Sequence, residues 1–502
     1  PGLARRAHDE FRIAAAAGNE EESLGSFQNE APFVSIQGPN SQIQNLKVVI
    51  HWFRRDLRLT DNTALAAAAR DGSQVVPAYV QSPWKDTHRW TGPHRQEFLC
   101  GSLAALDGNL RAIGSRLIVR RGDAVEELEK LAHETGAEAV YFNRDPDPFG
   151  RATEVCFKIP TRSFKDICLH ERDEVLTAKG EPFRVFTPYA KAWLKLDKPA
   201  PAGRLRTLPT PAGIASEPLP TLADWNLAPS GAILEPGERA ARKRLERFLA
   251  GPVTRYARER DLPAGQTTSQ ISADLRHGLL SIRDVFARCQ ARAAELPAAE
   301  RQSVHTYVNE LIWREFSMQI LWHWPEVLEQ EFVPKFRGLR WSDDVRDFAR
   351  WRDGETGFPI VDAAMRQLRE TGFMPNRARM IAAMFLTKDL QLDWRLGEQW
   401  FMQQLTDGEI ASNNAGWQWS AGTGADAAPY FRIQNPWTQT ARYDPDGAYI
   451  KHWLPELRDV PAARLARPPE DGHALVPGYP LPMVDHAVAR EKTLAMFAQV
   501  KA

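Results

Sequence analysis

Between Val48 and Glu171 the chain repeats one pattern: a short run of β-branched and aromatic residues, then a stretch with helical spacing. The runs are VVIHWF (48–53), VVPAYV (75–80), RLIVRR (116–121), AVYFNR (139–144) and DICLHE (166–171), and helix-like segments at 62–70, 94–113 and 123–135 separate the first four. Strands that alternate with helices build a parallel sheet with right-handed crossovers. No Gly-x-Gly-x-x-Gly follows the first run, so the sheet carries no dinucleotide fingerprint. From Gly237 the texture changes. GERAARKRLERFLAG, VHTYVNELIWREFSMQILWHW and PNRARMIAAMFLTKDLQLDW set apolar residues three and four apart. The predicted fold class is α/β, with a Rossmann-like parallel-sheet domain over 47–176 and a large all-helical domain over 237–502. Residues 177–236, dense in Pro, Gly and Ala, read as an interdomain linker wrapped over the surface. Residues 1–46 are polar and rich in turn formers, and a disordered extension is expected there.

Composition narrows the function classes. The chain has 502 residues, more than one core organises. No apolar run approaches the ~20 residues of a membrane span, and no secretory apolar region is visible, so a cytoplasmic bacterial protein with no membrane partner is expected. Cys100, Cys156, Cys168 and Cys289 lie far apart, with no metal-ligand spacing, and read as buried small hydrophobes. Lys+Arg and Asp+Glu are both 64, which excludes binding held by bulk charge but leaves room for a local basic groove. The 16 Trp point to a large aromatic core, stacking surfaces or a redox relay.

Four constellations stand in the helical half. In YVNELIWREF, Glu310, Trp313 and Arg314 fall at i, i+3 and i+4 on one helix face. A surface Glu310–Arg314 pair, worth ~0.3–0.5 kcal/mol, is the simplest reading. The spacing recurs with Asn376, Arg379 and Met380, however, and polar groups repeated beside apolar ones suggest a polar-lined cavity. Asp407, buried near Arg379, would offset the charge penalty of both. Thr268, Ser269 and Ser272 lead into a helix, where hydroxyls and backbone N–H groups make either an anion site or an ordinary cap.

HWFRRDLRLTDNTAL (51–65), NELIWREF (309–316), GFPIVDAAMRQL (357–368), NRARMIAAMFLTKDL (376–390) and DGEIASNNAGWQWSAGTGADAAPYFRIQNP (407–436) together resemble the photolyase/cryptochrome family, from about Val48 to Pro455. The resemblance implies a U-shaped FAD in an all-helical FAD-binding domain. Tyr256, Thr268, Ser269, Ser272 and Arg314 would hold the phosphates and nearby groups. Asn376, Arg379, Asp407, Glu409 and Asn413 would surround the flavin, with Asn413 beside N5, where photosensory plant-type members carry Asp. Trp417, Trp394 and Trp341 would be the proximal, middle and surface members of an electron-transfer chain. Glu310, Trp313, Asn376, Met380 and Trp419 match the pocket for a cyclobutane pyrimidine dimer, and the absence of His between Met374 and Thr387 disfavours the (6-4) lesion. Arg260, Arg377 and Arg432 match rim positions that would contact phosphates of UV-damaged DNA around an everted lesion. Asp145 and Arg276 would face an antenna chromophore, deazaflavin or folate, with deazaflavin favoured. The expected activity is light-dependent dimer repair by a monomer; the alternative is a blue-light photoreceptor with the same flavin.

Overall fold

In a computed structural model of the chain, residues 46–231, 233–470 and 472–500 are described. The expected extension therefore lies outside the described residues, Leu46 excepted. Five strands form: β1 Leu46–Phe53, β2 Gly72–Gln81, β3 Ile118–Arg121, β4 Val140–Asn143 and β5 Thr161–Phe164. All pair in parallel, in the order β3-β2-β1-β4-β5. Strand alternation sends Val49 and Phe53 of β1 into one core and Val48, Ile50 and Trp52 into another, so the sheet is covered on both faces. The crossover helices Thr63–Asp71, Pro93–Arg111 and Ala124–Thr135 fall within a few residues of expectation. Asn62 caps the first by accepting from Leu65 N, and Asp123 caps the third by accepting from Val125 N and Glu126 N.

The fifth strand is not where the sequence predicts it. Residues 166–171 form no strand, and β5 precedes them. Their polar groups are claimed elsewhere. Asp166 accepts from Arg58 and Arg283, and the Leu169 and His170 N–H groups donate to the buried Glu315 carboxylate. The 177–236 stretch also departs from a surface wrap. It contains the helix Phe186–Lys195, and Trp193 and Trp225 are buried, with Trp193 Nε1 donating to Glu315 at 2.6 Å. Cys168 and Cys289 are buried as expected, but Cys156, just beyond the short helix Pro148–Glu154, is exposed and Cys100 is half-buried.

The helical body centres on Ala298–His323, with Asn376–Met384, Trp394–Gln404 and Ile410–Ala421 packed around it or one another. The expected final helix spans His486–Gln499 and buries Phe497. Among the described residues, no helix is long and apolar enough to cross a membrane.

Candidate active site in the helical body

The helices enclose a cavity of about 560 Å³. Its wall unites segments some 150 residues apart in sequence: Tyr256, Arg260, Thr268, Ser269 and Ser272; Glu310, Trp313 and Arg314; Asn376, Arg379 and Met380; and Asp407, Glu409, Asn413, Trp417 and Trp419. The repeated i, i+3, i+4 spacing thus marks two cavity-facing helix stripes. Trp341, Trp394, Arg377, Arg432 and Asp145 lie outside the wall.

Each polar group has a definite arrangement. Arg379 Nη2 meets Asp407 Oδ1 and Oδ2 at 3.1 and 2.8 Å, the pairing expected from sequence. Glu310 turns to Arg260, not to Arg314. Burial raises the Glu310 pKa, with Arg260 acting against the rise. Arg314 instead donates to Ile167 O at 2.9 Å. The cap reading of the Ser/Thr cluster does not hold. Helix Ser272–His277 has no side-chain cap bond, and Ser269 Oγ accepts from Tyr307 at 3.1 Å, so these hydroxyls are turned to the cavity.

The paired asparagines share one anchor. Asn413 Nδ2 donates to Glu398 O at 3.0 Å, and Asn414 Nδ2 donates to Glu398 Oε1 at 3.2 Å. That anchors the Asn413 amide through its nitrogen, while among the described residues its oxygen accepts no bond. Burial pushes the Glu398 carboxyl up to about 7, against the bond from Asn414. Sequence reasoning missed Glu398, which carries no local signal.

Glu409 caps Ile410–Ala421 by accepting from Ser412 N, and it meets Arg55 at 3.1 Å. Burial alone would raise its pKa, but Arg55, Arg276 and Arg314 hold it low. Arg55 also meets Asp145 at 2.9 Å, at the crevice beyond β1 and β4 where the strand order reverses. Asp145 and Arg276 border different cavities, although each feels the other's charge. Arg276 donates to Gly408 O and lines the large cavity, whereas Asp145 borders a void of about 30 Å³, room for water only.

The indoles are packed by small residues. A Cβ built on Gly397 would stand 2.0 Å from Trp417 Cη2, so Trp417 rests on the backbone of Trp394–Gln404, one turn from Trp394. Gly397→Ala is expected to cost about 1–3 kcal/mol by overpacking. An unchanged denaturant midpoint would mean that Trp417 has room to move. Trp394 is fully buried, Trp341 half-buried, and both donate to one carboxylate, Glu331, which sequence reasoning also missed. Of the three rim arginines, Arg377 meets Asp261 at 2.9 Å and stands 4.4 Å over Tyr443, Arg260 is held by Glu310, and Arg432 is exposed.

Known proteins resemble this chain over most of its length. Residues 307–499 match the model of the FAD binding domain of DNA photolyase, and residues 49–210 match that of DNA photolyase. The deoxyribodipyrimidine photo-lyase of Agrobacterium fabrum is 40% identical, over 90% of this chain and 98% of that protein. A bacterial class III photolyase from Agrobacterium tumefaciens superposes with a TM-score of 0.84 at 38% identity, covering 92% of this chain and 99% of that one. A Synechocystis cryptochrome superposes with a TM-score of 0.81 at 27% identity, covering 91% and 100%. With matching sequence across both parts and matching architecture throughout, the chain belongs to the DNA photolyase family.

Proposed function

We propose that the protein repairs cyclobutane pyrimidine dimers in UV-damaged DNA by light-driven electron transfer, acting as a monomer. One observation carries this reading: the residues suited to a flavin dinucleotide and those suited to an everted pyrimidine pair line one and the same cavity. The wall fits FAD. Trp417 Nε1 is buried without a protein partner, the Asn413 oxygen is an available acceptor, and Thr268, Ser269, Ser272 and Arg314 offer hydroxyls and a cation for a pyrophosphate. Bound there, FAD supplies the light-absorbing one-electron donor. The protein supplies position and electrostatics.

Asn413 faces the cavity with an uncharged oxygen, able to accept from a protonated ring nitrogen without adding charge. The Arg379–Asp407 pair presents a cation and an anion to the same space with little net field. Trp313 is held flat by stacking on Phe186, centroids 3.7 Å apart and planes 5° apart, and offers an apolar wall for an everted pyrimidine pair. Trp419, Met380 and Asn376 complete that end. Arg260 links the rim to the pocket. Arg260 opposes the rise that burial gives the Glu310 pKa, so a phosphate that draws Arg260 away raises it further and favours the acid form, a donor for a pyrimidine carbonyl. Trp417, Trp394 and Trp341 would carry electrons inward to FAD bound in the cavity.

The deciding experiment illuminates the holoprotein, its flavin chemically reduced, with dimer-containing DNA, and follows lesion loss against a dark control. Loss in light alone is expected. Persistence of the lesion with reduced flavin bound would end the repair reading and leave the photoreceptor in its place.

A further inference from the structure

Glu331 does not itself line the cavity, although its neighbours Val327 and Phe332 do, and it is only 3% exposed. Its Oε1 accepts from Trp341 Nε1 at 3.1 Å and from Trp394 Nε1 at 3.2 Å. Its Oε2 accepts from Arg395 Nη2 at 3.2 Å. Arg395 is held in turn by both oxygens of Asp393, at 3.0 and 3.1 Å, and stands 4.7 Å over the Trp394 ring. Two neutral indole N–H donors need only a neutral acceptor. A buried carboxylate is a costly way to provide one, and an arginine must be recruited to offset its charge.

The placement is built from both sides. Gln418, between Trp417 and Trp419, donates to Val327 O and Gln330 O at 2.9 and 3.1 Å and accepts from Phe332 N at 2.8 Å, clamping the chain around Glu331. On the other side, Ser342 N donates to Gln391 O and Asp393 N to Ser342 O, tying Trp341 to the start of the helix that carries Trp394. The helix that bears Trp417 therefore also positions the carboxylate shared by the outer two indoles.

We propose that Glu331 receives the proton of the oxidised outer indole of the relay. The proposal rests on the relay reading above. One electron passes inward from Trp341, through Trp394 and Trp417, to the light-excited oxidised flavin. Trp341 is left a radical cation, whose N–H is far more acidic than that of a neutral indole. The N–H bond breaks with its electron pair staying on nitrogen, and the proton forms an O–H bond at Glu331 Oε1. The products are a neutral indole radical and a neutral carboxylic acid. A soluble thiolate later returns one electron, becoming a thiyl radical, and the proton goes back from Oε1 to Nε1. Loss of the cationic charge removes the attraction that would pull the electron back, so proton transfer commits the inward electron step.

The test is flash excitation of the oxidised holoprotein without DNA, read by transient visible absorption and light-minus-dark infrared spectroscopy. In the unaltered protein, deprotonation of the indole radical cation is expected to be independent of buffer concentration and to coincide with a carboxylic acid C=O band. In Glu331→Gln, which keeps shape and acceptor but not basicity, that band should vanish. Deprotonation should slow about a hundredfold and accelerate with added buffer. Deprotonation at an unchanged rate in Glu331→Gln would overturn the assignment. So would a buffer-dependent rate with no carboxylic acid band in the unaltered protein, a measurement that stands even if the variant loses its flavin. An unaltered protein that forms no indole radical at all refutes the relay itself, and that failure is distinct from either of the others.

Discussion

Arg379→Met is expected to destabilise the holoprotein by about 3 kcal/mol and to lower its flavin content, whereas Asp407→Asn costs about 1 kcal/mol. The two residues form one ion pair, but they are not equally placed. The Asp407 side chain is 6% exposed and that of Arg379 is 25% exposed. Removing the arginine strands a buried carboxylate, the expensive way to break a buried pair. Arg95, buried nearby, feels the Asp407 charge and offsets part of the loss, which places the cost at the lower end of the usual range. Removing the Asp407 charge leaves a guanidinium that reaches solvent and still donates to Met374 O at 2.7 Å. The checks are denaturant midpoints and the ratio of flavin to protein absorbance for both variants. Equal costs would mean that solvent reaches Asp407 and that the pair contributes little to the wall.

How much of this site was legible in the chain follows from the range of the interactions. The sheet was legible because the unbroken β-branched and aromatic runs along β1, β2 and β4 are a local signal, and the crossover helices because Asn62 and Asp123 are caps read within three residues. The fifth strand failed for the opposite reason. DICLHE has strand-like composition, but its backbone donors are taken by Glu315, roughly 150 residues away, and no local pattern announces that. The cavity-facing stripes were legible because helical spacing exposes them. Their partners were not: Glu310 selects Arg260 rather than Arg314, and the Ser/Thr cluster declines its cap role. Glu398 and Glu331 are acids in ordinary helical or loop surroundings, and only the folded chain sets them under Asn413 and between Trp341 and Trp394. Gly397 did leave a trace, since a glycine inside a helical pattern signals close approach of another group, here the Trp417 ring.

The other large effect is a pH dependence set by Lys388. This residue sits in the π-helical turn Phe385–Asp389, is 1% exposed, and donates to Ala421 O at 2.6 Å, at the end of the helix that carries Asn413, Trp417 and Trp419. Its ammonium also lies 4.1 Å from the centre of the Phe497 ring of the final helix. Among the described residues no carboxylate forms an ion pair with it, and the neighbouring Asp389 is committed to His486 at 2.6 Å. Burial lowers its pKa from 10.5 to about 7. Unfolded, Lys388 keeps its proton up to 10.5; folded, it sheds it near 7. Between those values the unfolded state binds more protons, so stability rises with pH, with a slope of up to about 1.4 kcal/mol per pH unit from this one group. Below 7 both states are charged and the burial penalty stands in full. In Lys388→Met the titration is gone. The variant also loses the bond to Ala421, a pH-independent cost of about 1 kcal/mol, so the informative quantity is the difference in slope rather than in midpoint at any single pH. Other groups that titrate in this window cancel in that difference. Relative to the unaltered protein, Lys388→Met should stand highest below pH 7 and fall steadily as the pH rises through the window. Parallel stability profiles for the two proteins would mean that the amine keeps an ordinary pKa and that water reaches the end of the tryptophan-bearing helix.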